Sequence, residues 1–261
     1  MALTFGSLFA GIGGFDLGFE RAGMQCRWQV ENDPFANRVL AKHWPNVRRW
    51  PDVRTFPPEF CGGCGATDED RRCVGCRADF VADWRVDVIC GGFPCQDISA
   101  AGLKSGLGGQ RSGLFFDAVR VVRQLRPRIV VLENVAAILV RGHDEVLAEM
   151  ASLGYDAEWE VLSACSFGAP HSRERMFYVF HAHGCQLRAS GATEDQAASA
   201  ILHFSRTGVP RPLESWWATE PEPCSVVYGV PGVVDRLRGF GNAVVPQVAE
   251  WIGRRIVAAL G

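Results

Sequence analysis

Residues 128–132, Arg-Ile-Val-Val-Leu, form an almost unbroken β-branched and aliphatic run. A strand of this kind is apolar on both faces, and a sheet covered by helices on both sides buries it. The surrounding pattern agrees. Residues 4–9, 25–31, 86–90 and 176–180 are further short apolar runs, and 14–21, 33–43, 114–125 and 145–153 carry helical spacing between them. In the third helix the apolar positions are Phe115, Ala118, Val119, Val122 and Leu125, and Gly154 closes the fourth. Strands alternating with helices predict an α/β fold with a parallel, doubly wound sheet. A last helix is expected over 246–260, with Pro246 near its first turn. Residues 57–79 and 183–228 break the rhythm, the first rich in Gly and Cys, the second polar with four prolines.

With 261 residues, 48% of them hydrophobic, the chain suits one generous domain, or one domain with a small appendage. Its 27 basic and 29 acidic residues exclude a basic nucleic-acid coat and an acidic solvating chain, although a local basic patch stays open. No apolar run approaches the ~20 residues of a membrane span, so no membrane association is expected. The opening residues show no basic leader, which points to the cytoplasm. Disulfides are disfavoured there, so the ten cysteines more naturally bind metal or do chemistry.

The turn Phe9-Ala10-Gly11-Ile12-Gly13-Gly14-Phe15 leaves a strand and opens a helix. Glycines there allow close approach of a ligand, and free N–H groups at a helix start favour an anionic group. Glu31 ends the next strand, near the ~20-residue offset at which an acid meets ribose hydroxyls; Asp52 follows. A tight structural turn is the plainer reading of the glycines taken alone. Three strand-end signals accompany them. Gly91-Gly92-Phe93-Pro94-Cys95 would present a thiol on a fixed, exposed turn, whereas Cys90 lies inside its strand. Glu133-Asn134-Val135 puts a carboxylate at the mouth of a buried strand, which costs desolvation energy unless the group has a partner or a task. His171-Ser172-Arg173-Glu174-Arg175 precedes the strand at 176–180.

Taken in order, these residues resemble the DNA (cytosine-5) methyltransferases of bacteria and phages, through nearly all of the chain outside the two irregular stretches. The resemblance matches the cofactor loop to residues 9–15, the ribose acid to Glu31 and the adenine-side Asp to Asp52. The Pro-Cys nucleophile loop falls on Pro94 and Cys95, and the Gly-Leu-Phe-Phe-Asp element that closes over the cofactor on Gly113, Leu114, Phe115, Phe116 and Asp117. The Glu-Asn-Val element falls on Glu133, and the Arg-x-Arg element on Arg173 and Arg175. The returning segment that completes the cofactor pocket is Gly241-Asn242-Ala243-Val244-Val245-Pro246. It implies an S-adenosylmethionine-dependent, Rossmann-like catalytic domain over 1–182 plus 236–261. Phe9, Ala10, Gly11, Ile12, Gly13, Gly14, Glu31, Asp52, Pro94, Leu114, Asn242 and Val244 would hold the cofactor. Cys95, Glu133, Arg173 and Arg175 would act on a cytosine flipped out of double-stranded DNA. His171 and Ser172 depart from the family's usual Gln, and Ser7 shows serine-for-acid variation; neither removes a reacting group.

Two further expectations concern the irregular stretches. Cys61-Gly-Gly-Cys64 and Cys73-Val-Gly-Cys76, eight residues apart, have the spacing of a tetrahedral zinc site. A structural zinc module over 57–80 is therefore expected, with redox motifs or unconnected thiols as the alternatives. Residues 183–235 would be a small target-recognition region, short for reading DNA, in which Trp216 and Trp217 stack or anchor a loop. Lys104 and Arg111 make the stretch after Cys95 basic, while Arg120, Arg123 and Arg126 read as a solvated helix face. The expected role is restriction-modification or phage anti-restriction, by a monomer, with a cognate restriction endonuclease as a possible partner. The competing classes are an RNA cytosine-5 methyltransferase, a non-catalytic DNA-binding protein and a nicotinamide-dependent oxidoreductase. The last leaves the Pro-Cys loop unexplained.

Overall fold

The structure is a computed structural model and describes residues 2–58, 82–94, 113–185, 239 and 241–261. In chain order its elements are β1 (Thr4–Leu8), α1 (Gly14–Arg21), β2 (Gln25–Val30), α2 (Pro34–His43) and β3 (Arg48–Trp50), then β4 (Val88–Gly92) and α3 (Gly113–Leu125). They continue with β5 (Ile129–Val135), α4 (His143–Ser152), β6 (Tyr155–Ser163), β7 (Glu174–Ala182) and α5 (Pro246–Leu260). One seven-stranded sheet results, in the order β3-β2-β1-β4-β5-β7-β6.

The first five strands of that order run parallel, but β7 pairs antiparallel with both β5 and β6. The expected all-parallel sheet is therefore mixed. The reason lies in the link between β6 and β7. Residues 164–173 contain only a short 3₁₀ turn, Ala164–Phe167, and a parallel return needs a crossover of a dozen or more residues. Strand β6 has a strict period-two pattern in the sequence, with Asp156, Glu158 and Glu160 between apolar neighbours. Charges of this kind suit an edge strand, where they discourage pairing with another chain. Strand β3 is only three residues long, too short for any periodicity to show.

Strand β5 is buried on both faces, as its composition requires. Val130 and Leu132 join the side packed by Phe115 and Val122 of α3 and Met150 of α4. Ile129 and Val131 join the side packed by Phe15 and Phe19 of α1 and Ile252 of α5. Helix α2 begins with Pro34 after Asp33, whose carboxylate accepts from Ala36 N at 2.8 Å, a side-chain cap on an otherwise orphaned donor.

The arginines of α3, and Arg126 just after it, do not form one solvated face. Arg123 is exposed, but Arg120 donates to the carbonyls of Val53 (2.6 Å), Phe56 (2.9 Å) and Arg54 (3.2 Å). It thereby fastens α3 to the 3₁₀ turn Val53–Thr55. Arg126 donates to Leu153 O at 2.6 Å and lies over the Tyr155 ring. Helical periodicity cannot distinguish an arginine in water from one that reaches backbone carbonyls of a distant loop. Replacing Arg120 by Met is expected to lower unfolding free energy by about 1–3 kcal/mol, the scale of lost charged hydrogen bonds. Denaturant titration checks this, and a value within about 0.5 kcal/mol of the parent, as for an ordinary surface change, contradicts it.

Candidate active site

The residues singled out in the sequence gather at one end of the sheet. The turn at 9–14 leaves the C-terminal end of β1, Glu31 that of β2, Asp52 follows β3, and Pro94 follows β4. Open α/β sheets bind their ligands at this end. Glu133 lies inside β5, close to its end, rather than after it.

Phe9, Gly11 and Gly13 all have positive φ, at 51°, 56° and 90°. Left-handed backbone is costly for a side-chain residue and easy for glycine, which explains why the turn is glycine-rich. The Glu31 carboxylate spans it, accepting from Gly11 N at 2.6 Å and from Asp33 N at 2.7 Å. A Cβ on Gly11 would meet only Phe9 O, at an ordinary contact distance of 4.0 Å, so its glycine is required by conformation, not by crowding. Gly14 is the opposite case: a Cβ there would collide with the carbonyl of Val244. The returning segment therefore packs directly on the start of α1, with Val244 buried and Asn242 exposed. An open turn of this shape, with an acid behind it, fits an adenosine-bearing ligand.

Asp52 sits at the same end with its carboxylate already engaged. Arg54 donates to it from its backbone N (2.9 Å) and from its guanidinium (2.7 Å at the closest), holding the carboxyl below its ordinary range. Leu114, in the first turn of α3, packs partly buried against the core, as does Phe9.

The second half of the site is built by the antiparallel strand. Glu133 on β5 lies opposite Phe177 on β7, and Val135 lies opposite Arg175. Arg175 is therefore the diagonal neighbour of Glu133 on the same face, within reach of a long side chain. Its Nε meets Glu133 Oε1 at 3.0 Å. Glu133 is only 7% exposed. Burial pushes its carboxyl up to about 7, and the charges of Arg175 and Arg173 lower it only in part. Arg173 donates to Gly241 O at 2.6 Å, tying the start of β7 to the returning segment.

Gly92 was expected in a turn that presents a thiol; it is instead the last residue of β4, opposite Glu133. A Cβ at Gly92 would lie 2.7 Å from Glu133 Oε2, so glycine makes room for the carboxylate. Asn134, to which no site role was given, is 2% exposed and donates to Phe93 O at 3.3 Å. It tethers the chain immediately before Pro94. Its signal was present in the Glu-Asn-Val triplet, but which backbone group it holds is a matter of tertiary contact. Cys95, with Lys104 and Arg111, lies outside the described residues, as do Cys61, Cys64, Cys73 and Cys76 and nearly all of 183–235. Among the described residues no cluster of three or more His, Cys, Asp or Glu could hold a metal ion, and no helix is long and apolar enough to cross a membrane.

Comparison with known proteins shows the family. The C-5 cytosine-specific DNA methylase family model matches residues 3–203, and the chain belongs to that family. Type II methyltransferase M.NlaX of Neisseria lactamica is 36% identical over 182 residues, covering 66% of this chain and 50% of the relative. Type II methyltransferase M.HhaI of Haemophilus parahaemolyticus is 32% identical, covering 68% and 48%. The chain thus spans about half the length of the curated relatives it matches. Among solved structures, a prophage-encoded E. coli protein assigned as a DNA modification methyltransferase aligns at a TM-score of 0.54 and 25% identity, over 72% of this chain and 49% of that one. The S. pombe Dnmt2 methyltransferase aligns at 0.52 and 17%, over 75% and 53%, a likeness of fold.

Gly92→Ala is expected to displace the Glu133 carboxylate while costing little stability, because the group it meets is a side-chain end. Methyl transfer of the family's kind should fall at least about tenfold, the scale of one misplaced catalytic group. Unchanged transfer in a folded variant would show that the close approach has no functional weight.

Proposed function

We propose that this chain transfers a methyl group from S-adenosylmethionine to carbon 5 of a cytosine flipped out of double-stranded DNA. The observation that carries the reading is the buried Glu133 carboxyl, raised to about 7 and paired with Arg175 beside the end of β4. Cytosine carbon 5 is a poor nucleophile, so the ring must first be activated. Cys95, next after Pro94, would add as thiolate to carbon 6, a step for which a thiol is well suited. Glu133 would give its proton to ring nitrogen 3 and so neutralise the charge that addition develops. Arg175 would hold the base and balance that charge, and Arg173 would keep the returning segment in place. The cofactor supplies an electrophilic methyl for the activated carbon 5. Loss of the carbon-5 proton to water, departure of the Cys95 thiolate and return of the nitrogen-3 proton to Glu133 would then release methylcytosine and regenerate the enzyme.

Residues 9–14 would receive the methionine end of the cofactor, Glu31 its ribose and Asp52 its adenine, with Pro94, Leu114, Asn242 and Val244 completing the pocket. Residues 183–235 would read the target. With the near-balanced net charge, DNA affinity must rest on local Lys and Arg and should weaken with salt. The biological setting would be restriction-modification or phage anti-restriction in the cytoplasm, the protein acting as a monomer, with a cognate endonuclease as partner in the first setting and not required for activity. The cysteine spacing at 61–76 supports a structural zinc module over 57–80.

Incubation of the chain with tritiated S-adenosylmethionine and mixed duplex DNA should label the DNA, and Cys95→Ala should abolish labelling. Equal label in both proteins would refute the covalent route, and label on tRNA alone would move the substrate to RNA. The pH dependence has a definite sign. The Glu133 carboxyl is raised, so its proton is present below about 7 and lost as pH climbs. Transfer should therefore carry a descending limb above neutrality that Glu133→Gln lacks, with rate reduced about 10²–10⁴-fold in that variant. An identical profile in the two would remove Glu133 from the proton step. Metal analysis should find one zinc per chain, lost on replacing Cys61 and Cys64 by Ser; a metal-free protein of unchanged stability would refute the module.

A further inference from the structure

Beneath the glycine turn lies a polar knot that the methyl-transfer chemistry leaves unused. Asp16, in the first turn of α1, is completely buried. Its Oδ2 accepts from Ser7 Oγ at 3.1 Å, and its Oδ1 accepts from Gln29 Nε2 at 2.8 Å and from the Cys26 thiol at 3.5 Å. Ser7 and Gln29 are themselves 1% and 0% exposed and face each other across β1 and β2. Burying a carboxylate is expensive, and burial raises this one to about 6 against the pull of its donors. Stability alone would be served as well by an apolar side chain, so the placement of the acid calls for explanation.

The explanation is what the donors are attached to. Ser7 stands two residues before Phe9, where the turn begins, and Gln29 two residues before Glu31. The turn and the end of β2 are also joined above the knot, by the bond from Gly11 N to Glu31 and by Ala10 N donating to Val30 O at 3.1 Å. One buried carboxylate therefore ties together β1, the helix that follows the turn, and β2. We propose that Asp16 is a positioning residue for the cofactor, fixing the spacing between the turn at 9–14 and Glu31 through Ser7 and Gln29. It touches no ligand itself. The inference rests on the reading that S-adenosylmethionine binds across that turn.

Removing Asp16 strands the buried donors of Ser7 and Gln29, while the Cys26 thiol keeps Trp28 O as an acceptor, and the stranded pair can be satisfied again only if the turn or the strand end shifts. Asp16→Ala should weaken S-adenosylmethionine binding at least about tenfold by calorimetry, while Asp16→Asn, which keeps an acceptor in the knot, should stay within about threefold of the parent. Amide exchange in the ligand-free protein separates positioning from general destabilisation. In Asp16→Ala the Gly11 and Asp33 amides should exchange about tenfold faster, with Val179 in the sheet centre unchanged. Should Asp16→Ala fail to fold, Ser7→Ala serves instead, with an expected loss of about threefold in affinity. Parent-like cofactor affinity in a folded Asp16→Ala or Ser7→Ala protein, or exchange that accelerates equally everywhere, overturns the inference. Failure of the parent chain to bind S-adenosylmethionine would instead refute the reading beneath it.

Discussion

The contact between Glu133 and Arg175 sets the terms for much of the structure around it. An acid buried at the end of a central strand is costly unless a cation or hydrogen-bond donors reach it. In a sheet built only of parallel strands, β7 would deliver its first residues to the far end, away from Glu133. Running β7 antiparallel between β5 and β6 returns the chain so that Arg175 lies at the start of the strand, and Arg173 just before it, where β5 ends. The short turn at 164–167 makes that reversal possible. Gly92 then leaves the space the carboxylate occupies, and Asn134 anchors the backbone that leads toward Pro94. Partial neutralisation by the arginines leaves the carboxyl poised near neutrality, where proton transfer in either direction is accessible.

The cofactor side follows a different rule, that of close backbone approach. Gly14 lies against the carbonyl of Val244, so the last described segment of the chain closes on the first helix. Arg173 binds the same segment at Gly241. Arg120 ties α3 to the turn after Asp52, and Asp16 ties the glycine turn to β2. Segments from distant parts of the sequence are thereby held together, Arg173 and Arg120 bonding to backbone carbonyls and Asp16 to the side chains of Ser7, Gln29 and Cys26.

Much of this was legible in the sequence because it is written in local patterns. The apolar run of β5, the spacing of α3 and the turn at 9–15 each identify their element without tertiary information, and the ordered motifs place Glu133 and Arg175 together. What was not legible depends on contacts between distant segments. The direction of β7 is decided by the length of the 164–173 link and not by the composition of the strand. Arg120 and Arg123 look alike on a helical wheel, yet only one reaches the carbonyls of Val53 and Phe56. Gly92 suggested a turn because glycine is common in turns, whereas its place opposite Glu133 is a matter of strand register. Asp16 carried no signal, since an acid in the first turn of a helix ordinarily reads as a response to the helix dipole.

The most direct test is the titration of Glu133 itself, followed by isotope-edited infrared or carbon-13 resonance in the DNA-free protein. A midpoint near 7, well above an ordinary glutamate, is expected, with a further rise in Arg175→Met, because removing that cation withdraws the larger of the two arginine charges that favour the charged form. A midpoint near 4.5, the ordinary glutamate value, or one that Arg175→Met leaves unmoved, would contradict this role for Glu133.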